Sequence, residues 1–224
     1  MNSLLKAIPI SAHVLSIILI LFISCGGGGS SPTPETIPPS ATPVLCFGTS
    51  LTSGDTSGIA WILEDHAEEL GIRVISRGFG GHSSYLLLEH LEEAVSVRAP
   101  IVLIEAVMND ALIIDARYTP VEQSRVYVTE IVQAFQDTGA KVFLMTTNPD
   151  LDEPTMRPDL EDYYQMVREV AADTGAELID LYPLWTRYSY GELHEMIPDH
   201  VHPSMEALDT IAFPEIVRAL PIPI

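Results

Sequence analysis

The chain has 224 residues, 47% of them hydrophobic, and its 31 acidic and 11 basic side chains give a formal net charge of −20. This length suits one domain with a substantial core. The negative charge argues against nucleic acid as a partner, since the phosphate backbone would repel such a chain. We also expect no cofactor.

The first 24 residues are typical of a signal peptide for export. Lys6 precedes an apolar run, residues 14–23, that is too short for a comfortable membrane span and soon meets Cys25. The segment Leu21-Phe22-Ile23-Ser24 before this cysteine resembles a bacterial lipobox, which marks the cysteine for lipidation. We therefore expect lipidated Cys25 to anchor an exported protein to a bacterial membrane, facing the periplasm or the cell surface. An ordinary signal peptide cleaved elsewhere and an uncleaved anchor are the alternatives.

Residues 25–42 are mostly Gly, Ser, Thr and Pro, a composition that buries too little surface to offset the entropy of ordering. We interpret this segment as a flexible tether and place a single folded domain at residues 43–224. Cys25 and Cys46 are the two cysteines of the chain. Lipidation of the first leaves Cys46 unpaired in an apolar run, where a thiol usually behaves as a small hydrophobic group, so we expect no disulfide.

Within the domain, short apolar segments alternate with longer segments of helical periodicity. Most of the apolar segments are continuous, as in strands buried on both faces. The predicted strands are Val44–Phe47, Ile72–Ser76, Ile101–Ala106, Lys141–Thr146 and Glu177–Leu181. Apolar residues three or four apart predict helices around Ile59/Leu63/Leu70, Leu87/Leu91/Ala94, Tyr127/Ile131/Phe135 and Leu160/Tyr164/Val167/Val170. The pattern predicts an α/β fold, a five-stranded parallel sheet with helices on both sides and a site at the carboxyl ends of its strands.

Residues that could take part in catalysis follow the predicted strands at this edge. They are Ser50 after the first strand, the glycines at 78, 80 and 81 after the second, Asn109 after the third, and Asp199 and His202 in the last connection. Taken singly, each has a structural alternative: a helix N-cap for Ser50, a tight turn for the glycines, a cap or turn for Asn109, and an exposed pair for Asp199 and His202. Together they form a set that acyl transfer requires, namely a nucleophile, an Asp-His pair to activate it, and donors for an oxyanion.

These blocks resemble the SGNH (GDSL) hydrolase superfamily over residues 43–224, and the nearest shape is its small lysophospholipase or arylesterase-like branch. The resemblance implies a flavodoxin-like three-layer α/β/α sandwich and carboxylic ester hydrolysis. By motif it assigns Ser50 as nucleophile, His202 as base and Asp199 as the orienting carboxylate. The same match assigns the oxyanion hole to the Ser50 and Gly81 N–H groups and the Asn109 side chain.

The chain departs from the family pattern at four positions. Thr49 stands where Asp usually precedes the serine, Val107 where the third block usually begins with Gly, His82 where Asp is frequent, and Ser76 where Asn is frequent. None of these changes removes a catalytic atom, so they bear on rate and substrate choice. The serine motif also lacks the second glycine of the Gly-x-Ser-x-Gly elbow, which excludes the α/β-hydrolase fold.

The sequence thus predicts a serine esterase acting on a small-molecule or polysaccharide ester, such as a short-chain acyl ester, a lysophospholipid or an acetylated carbohydrate. Two other functions stay open. One is metal-assisted hydrolysis by the bunched residues His194, Glu195, Asp199, His200 and His202, since His-x-His can place two imidazoles on one face. The other is a surface binding module on a catalytically weak or inactive scaffold, which Thr49 and Val107 suggest. Substrate, acyl-chain length and oligomeric state are left undetermined.

Overall fold

The computed structural model describes residues 41–53, 57–114, 116–152 and 155–222. Five parallel strands form one sheet in the order β2-β1-β3-β4-β5. The strands are β1 Thr42–Gly48, β2 Ile72–Gly78, β3 Ile101–Glu105, β4 Lys141–Thr146 and β5 Glu177–Asp180. The predicted five-stranded parallel α/β fold is confirmed. The predicted signal peptide, Cys25 and all but the last two residues of the predicted tether lie outside the described residues.

Helices connect the strands. They are α1 Ser50–Ser53, α2 Ile59–Asp65, α3 Ala67–Leu70, α4 Ser84–Leu87, α5 Leu91–Ser96, α6 Val121–Gln136, α7 Leu160–Thr174, α8 Tyr182–Trp185, α9 Tyr190–Met196, α10 Met205–Ala207 and α11 Phe213–Ala219, with a 3₁₀ turn at Leu88–His90 and a π-helical turn at Leu208–Ala212. The first predicted helix is divided at His66, whose ring stacks on Phe213 at 4.1 Å and contacts Asp209 at 3.1 Å. Most predicted helices are present, and the second is divided by the 3₁₀ turn.

The central strands β1, β3 and β4 of the sheet are buried on both faces. Alternate residues of the central strand β1 point to opposite sides: Val44 and Cys46 pack with α2, α3 and α11, whereas Leu45 and Phe47 pack with the helices α5 to α7. This explains why the strands read as continuous apolar runs. No helix in the described ranges is long and apolar enough to span a membrane.

The register of the sheet aligns the ends of three strands. Gly48 at the end of β1 pairs with Gly78 of β2 on one side and with Glu105 of β3 on the other. A Cβ on Gly48 would overlap the carbonyl oxygen of Glu105, and one on Gly78 would overlap Ser53, so glycine is required at both positions by close approach. The loops that follow these strands therefore begin at one level of the carboxyl edge.

Candidate active site

Ser50, the predicted nucleophile, is the first residue of α1, immediately after β1. Thr49 occupies the capping position, because its carbonyl accepts the N–H groups of Thr52 and Ser53 at 3.2 and 3.3 Å. The first N–H groups of a helix have no acceptor within the helix, so the Ser50 N–H can serve a ligand. The capping role that the sequence allowed for Ser50 thus belongs to Thr49.

The structure brings Ser50, His202 and Asp199 together. His202 Nε2 lies 2.8 Å from Ser50 Oγ, and His202 Nδ1 lies 2.7 Å from Asp199 Oδ2. The other carboxylate oxygen, Asp199 Oδ1, accepts the backbone N–H groups of His202 at 2.6 Å and Val201 at 3.0 Å. The three side chains therefore form one continuous hydrogen-bonded chain.

The ionisation of Asp199 decides which nitrogen of His202 carries the proton. Partial desolvation raises the pKa of Asp199, but hydrogen bonds from the His202 backbone, the His202 ring and Val201 outweigh it, so the pKa lies below its usual range. An ionised carboxylate can only accept, hence Nδ1 carries the proton and Nε2 offers its lone pair to the Ser50 hydroxyl. In this tautomer the imidazole can remove the serine proton.

The predicted oxyanion residues lie in the same cleft. Gly81 has a φ of +74°, the left-handed region that glycine adopts without strain. Asn109 is only 5% exposed, and its Nδ2 donates to the His82 carbonyl at 3.0 Å. This bond orients the amide and uses one of its two N–H groups. Ser50, Gly81, Asn109 and His202 line one open cleft of about 330 Å³.

A buried carboxylate that the sequence interpretation missed accepts hydrogen bonds from Thr49, the residue before the nucleophile. Glu105, at the end of β3 and 1% exposed, accepts the Thr49 hydroxyl at 2.7 Å and the Thr49 N–H at 3.1 Å, and lies 3.4 Å from the Thr52 hydroxyl. Burial raises the pKa of Glu105, which these hydrogen bonds oppose and the nearby Asp110 reinforces. The available signal was a charged residue within an otherwise apolar strand.

Asp110 fixes the loop that carries Asn109. Its carboxylate accepts the Ser84 N–H at 2.8 Å and the Ser124 hydroxyl at 2.6 Å, so it ties this loop to α4 and α6. Burial raises the pKa of Asp110 to about 6, although the hydrogen bonds act against the shift. The residue after Asn109 is thus a structural carboxylate in a dry environment.

The other departures from the family pattern lie outside the hydrogen-bonded triad. Val107 is 2% exposed in the core and does not line the cleft. The described non-glycine residues with positive φ are Arg98 and His200, so the backbone at Val107 does not need glycine. His82 Nε2 lies 3.3 Å from His90 Nε2.

The three histidines of the metal hypothesis do not converge on one point. His202 faces Asp199 and Ser50, His200 Nδ1 lies 2.7 Å from Asp152, and the His194 ring packs between Tyr190 and His200. In the part of the chain that the structure describes, no three His, Cys, Asp or Glu side chains are grouped to hold a metal ion. The arrangement expected for metal-assisted hydrolysis is therefore not formed by these residues.

A parallel α/β sheet with this serine, histidine and aspartate at its carboxyl edge defines a class of ester hydrolases. The chain matches the model of the GDSL-like lipase/acylhydrolase family over residues 46–207, and it belongs to that family. It is accordingly a carboxylic ester hydrolase, and the predicted SGNH (GDSL) membership is confirmed. No curated protein sequence is significantly similar to the chain.

Solved structures share the fold at low sequence identity. The acetyl xylan esterase AlAXEase is 21% identical, with a TM-score of 0.66 over 80% of this chain and 100% of that one. An acetylxylan esterase from Geobacillus stearothermophilus is 19% identical, with a TM-score of 0.67 over 82% and 95%. A lipase/acylhydrolase from Enterococcus faecalis is 23% identical, with a TM-score of 0.66 over 79% and 96%.

Proposed function

We propose that the protein hydrolyses short-chain acyl esters, acetylated carbohydrates foremost, through an acyl-enzyme on Ser50. The observation that carries the proposal is the hydrogen-bonded chain Asp199–His202–Ser50, which opens into the cleft that Gly81 and Asn109 also line. A nucleophile, an oriented base and convergent N–H donors are the parts that acyl transfer needs.

In the proposed reaction, His202 Nε2 takes the Ser50 proton as Oγ attacks the ester carbonyl. The N–H groups of Ser50 and Gly81 and the second N–H of the Asn109 amide stabilise the oxyanion. His202 then gives the proton to the departing alkoxide, which leaves as the alcohol. Water, deprotonated by the same imidazole, attacks the acyl-enzyme and releases the acid. Asp199 stays ionised throughout and stabilises the imidazolium.

The space around the triad supports a short acyl group. Beside His202 and Leu51 a small, mostly apolar cavity of about 10 Å³ reaches Trp185, and such a volume holds about one water-sized group. The cleft that Ser50 lines with Gly81 and Asn109 is open and can take a bulky alcohol. Two of the solved structures with this fold are named acetylxylan esterases. Their names favour a carbohydrate as the alcohol part of the ester substrate.

Ser50→Ala tests the chemistry, with Ser53→Ala in the same helix as the matched control. We expect kcat on p-nitrophenyl acetate to fall by roughly 10⁴ to 10⁶ in the first variant and to change little in the second. A serine-directed phosphonate should label the wild type and the control but not Ser50→Ala. Failure to label the wild type would instead favour a binding module.

A substrate series tests the acyl and alcohol specificity. Acetyl, butyryl and octanoyl p-nitrophenyl esters should be hydrolysed with falling kcat/KM, and acetylated xylan should release acetate. Preference for the octanoyl ester or for a lysophospholipid would contradict the short-chain assignment and leave the Ser50 mechanism in place.

We further propose that the enzyme acts in the bacterial cell envelope, held there by lipidated Cys25. The lipobox-like Leu21-Phe22-Ile23-Ser24-Cys25 and the Gly/Ser/Pro composition of residues 25–42 support this location. Metabolic labelling with a palmitate analogue should mark the full chain and not Cys25→Ala. Equal labelling of both, or release of wild type into the soluble fraction, would refute the anchor.

A further inference from the structure

A buried ion pair lies between the two loops that carry the catalytic groups. Arg157 is 5% exposed and Asp150 2% exposed, and Arg157 Nη1 pairs with Asp150 Oδ2. Both residues belong to the connection between β4 and α7, which contributes no side chain to the reaction proposed above. Burying two charges costs several kcal/mol per ion, and well-packed apolar residues are frequently as stable, so the pair invites an explanation beyond stability.

Arg157 reaches the loop that carries Asn109. Its Nε donates to the carbonyl oxygen of Met108 at 2.7 Å, and Met108 is the residue before Asn109. The neighbouring Met156 carbonyl accepts the Ile113 N–H at 3.0 Å, further along the same loop. The guanidinium therefore fixes the peptide adjoining the predicted oxyanion donor.

Asp150 connects the ion pair to the loop that carries His202. Asp150 Oδ1 accepts the Asp152 N–H at 2.9 Å, which closes a turn at residues 150–152. That turn donates the Leu151 N–H to the His200 carbonyl at 2.9 Å and places the Asp152 carboxylate 2.7 Å from His200 Nδ1.

The backbone of the His202 loop depends on these contacts. His200 has a φ of +71°, a conformation that costs a non-glycine residue on the order of 1 kcal/mol or more and persists where its surroundings impose it. A third tie comes from Asn148, whose Nδ2 donates to the Val201 carbonyl at 2.8 Å. Val201 immediately precedes His202.

We propose that the Arg157–Asp150 pair is a positioning element that sets the separation between Asn109 and His202. The inference rests on the proposed function, because it assigns these two residues as oxyanion donor and base. The path runs from Asn109 through Met108, Arg157 and Asp150 to the His200 loop, with a hydrogen bond or covalent bond at each step. Loops are the mobile part of a fold, and a misplacement of a catalytic group by about 1 Å can lower the rate by about 10². An ion pair that joins the two catalytic loops would keep Asn109 and His202 at the separation that the reaction needs.

Arg157→Lys is the primary test, because lysine keeps the charge but cannot span Met108 and Asp150 with one planar fork. We expect kcat on p-nitrophenyl acetate to fall roughly 10- to 100-fold, with KM changed by less than about threefold. In an Asn109→Ala background the same substitution should lower kcat by a clearly smaller factor, because only its effect on the His202 loop is left. Arg125→Lys, in the α6–α7 ion pair with Glu169, is the matched control away from the cleft.

Equal losses in the two backgrounds would overturn the proposal, since a general loss of folded structure is additive with the removal of Asn109. If Arg157→Lys does not fold, Asp150→Asn carries the same cycle, because its amide keeps the volume and the acceptor for Asp152. A core variant such as Val132→Ala, chosen to have the same Tm as Arg157→Lys, controls for lower stability. If mispositioning is the cause, its kcat should stay close to that of the wild type.

Hydrogen exchange gives a readout that does not require turnover. The amides of Val201 and His202, which bond to Asp199 and touch neither charged partner, should exchange faster in Arg157→Lys than in the wild type. Unchanged exchange at both amides would refute the positioning role. A wild type that neither hydrolyses esters nor reacts with the phosphonate would refute the proposed function, and the exchange result would still decide whether the pair orders the loop.

Discussion

Replacing Thr49 by the aspartate usual in the family should harm this protein. Thr49 is fully buried, and its hydroxyl donates to Glu105 at 2.7 Å. An aspartate at this position would place a second carboxylate against the one that β3 already supplies. Thr49→Asp is thus expected to destabilise the fold, and to do so more strongly as the pH rises.

The loss of stability in Thr49→Asp has two contributions, a lost hydrogen bond and a new repulsion between carboxylates. The hydroxyl-to-carboxylate hydrogen bond is worth about 1.5 to 3 kcal/mol. Two ionised carboxylates about 3 Å apart repel by roughly 5 kcal/mol at an effective dielectric constant of about 20. One of them can instead keep its proton, so we expect a net loss of about 3 to 5 kcal/mol at pH 8, a large part of the roughly 5 to 15 kcal/mol that stabilises a domain. Raised pKa values in the folded state mean that this stability is present in acid and lost as the pH rises.

Urea unfolding at pH 5 and pH 8, with kcat on p-nitrophenyl acetate, measures both consequences. Thr49→Asp should approach the wild type at pH 5 and fall well below it at pH 8. The double variant Thr49→Asp/Glu105→Gln should recover most of the loss, because the carboxamide can donate to the new carboxylate. Thr49→Val, which removes only the hydroxyl, should lose about 1.5 to 3 kcal/mol. A Thr49→Asp protein as stable and active as the wild type at pH 8 would refute the reasoning.

Three further predictions follow from the site. Burial raises the pKa of Asp110 to about 6 from 3.8, so the wild type should lose about 2 kcal/mol relative to Asp110→Asn as the pH rises from about 4 to 6, measured by urea unfolding; parallel pH curves would contradict this. Asn109→Ala should lower kcat by about 10² to 10³ with the free energy of unfolding little changed, and an unaltered kcat would remove it from the oxyanion hole. In a Cys25→Ser chain, the Cys46 thiol should react with Ellman's reagent only on unfolding. Burial, with a smaller contribution from Glu64, raises the pKa of this thiol to about 12. Rapid reaction of the native protein would place the thiol at the surface.

The fold could be predicted because its signals are local. The central strands of a doubly covered parallel sheet are continuous apolar runs, and each long helix repeats its apolar residues every three or four positions. The observed β1, Thr42–Gly48, differs from the predicted Val44–Phe47 only at its ends, and β4 has the predicted bounds. The predicted helix around Ile59 is divided at His66, where the ring contacts Phe213, a residue distant in sequence that no local pattern reveals.

The supporting residues of the site could not be predicted in the same way. Ser50, Asn109 and His202 lie in recognisable blocks, whereas Glu105 contacts Thr49 at a distance of 56 positions in sequence and Arg157 contacts Met108 at a distance of 49. Nothing local marks Arg157, since an arginine after a loop is usually solvated. Their roles appear only when the sheet register and the loops bring the partners together.

Thr49 and Val107 illustrate how a position changes meaning once its partner is known. Read alone, each departs from the family pattern and suggests a weakened or inactive site. In the folded chain, Glu105 supplies a buried carboxylate beside the position where the family usually has Asp, and the Thr49 hydroxyl donates to it. Val107 fills the core at a negative φ, where glycine offers no advantage. The two substitutions are therefore compatible with an intact nucleophile, and the hypothesis of an inactive scaffold loses the residues that motivated it.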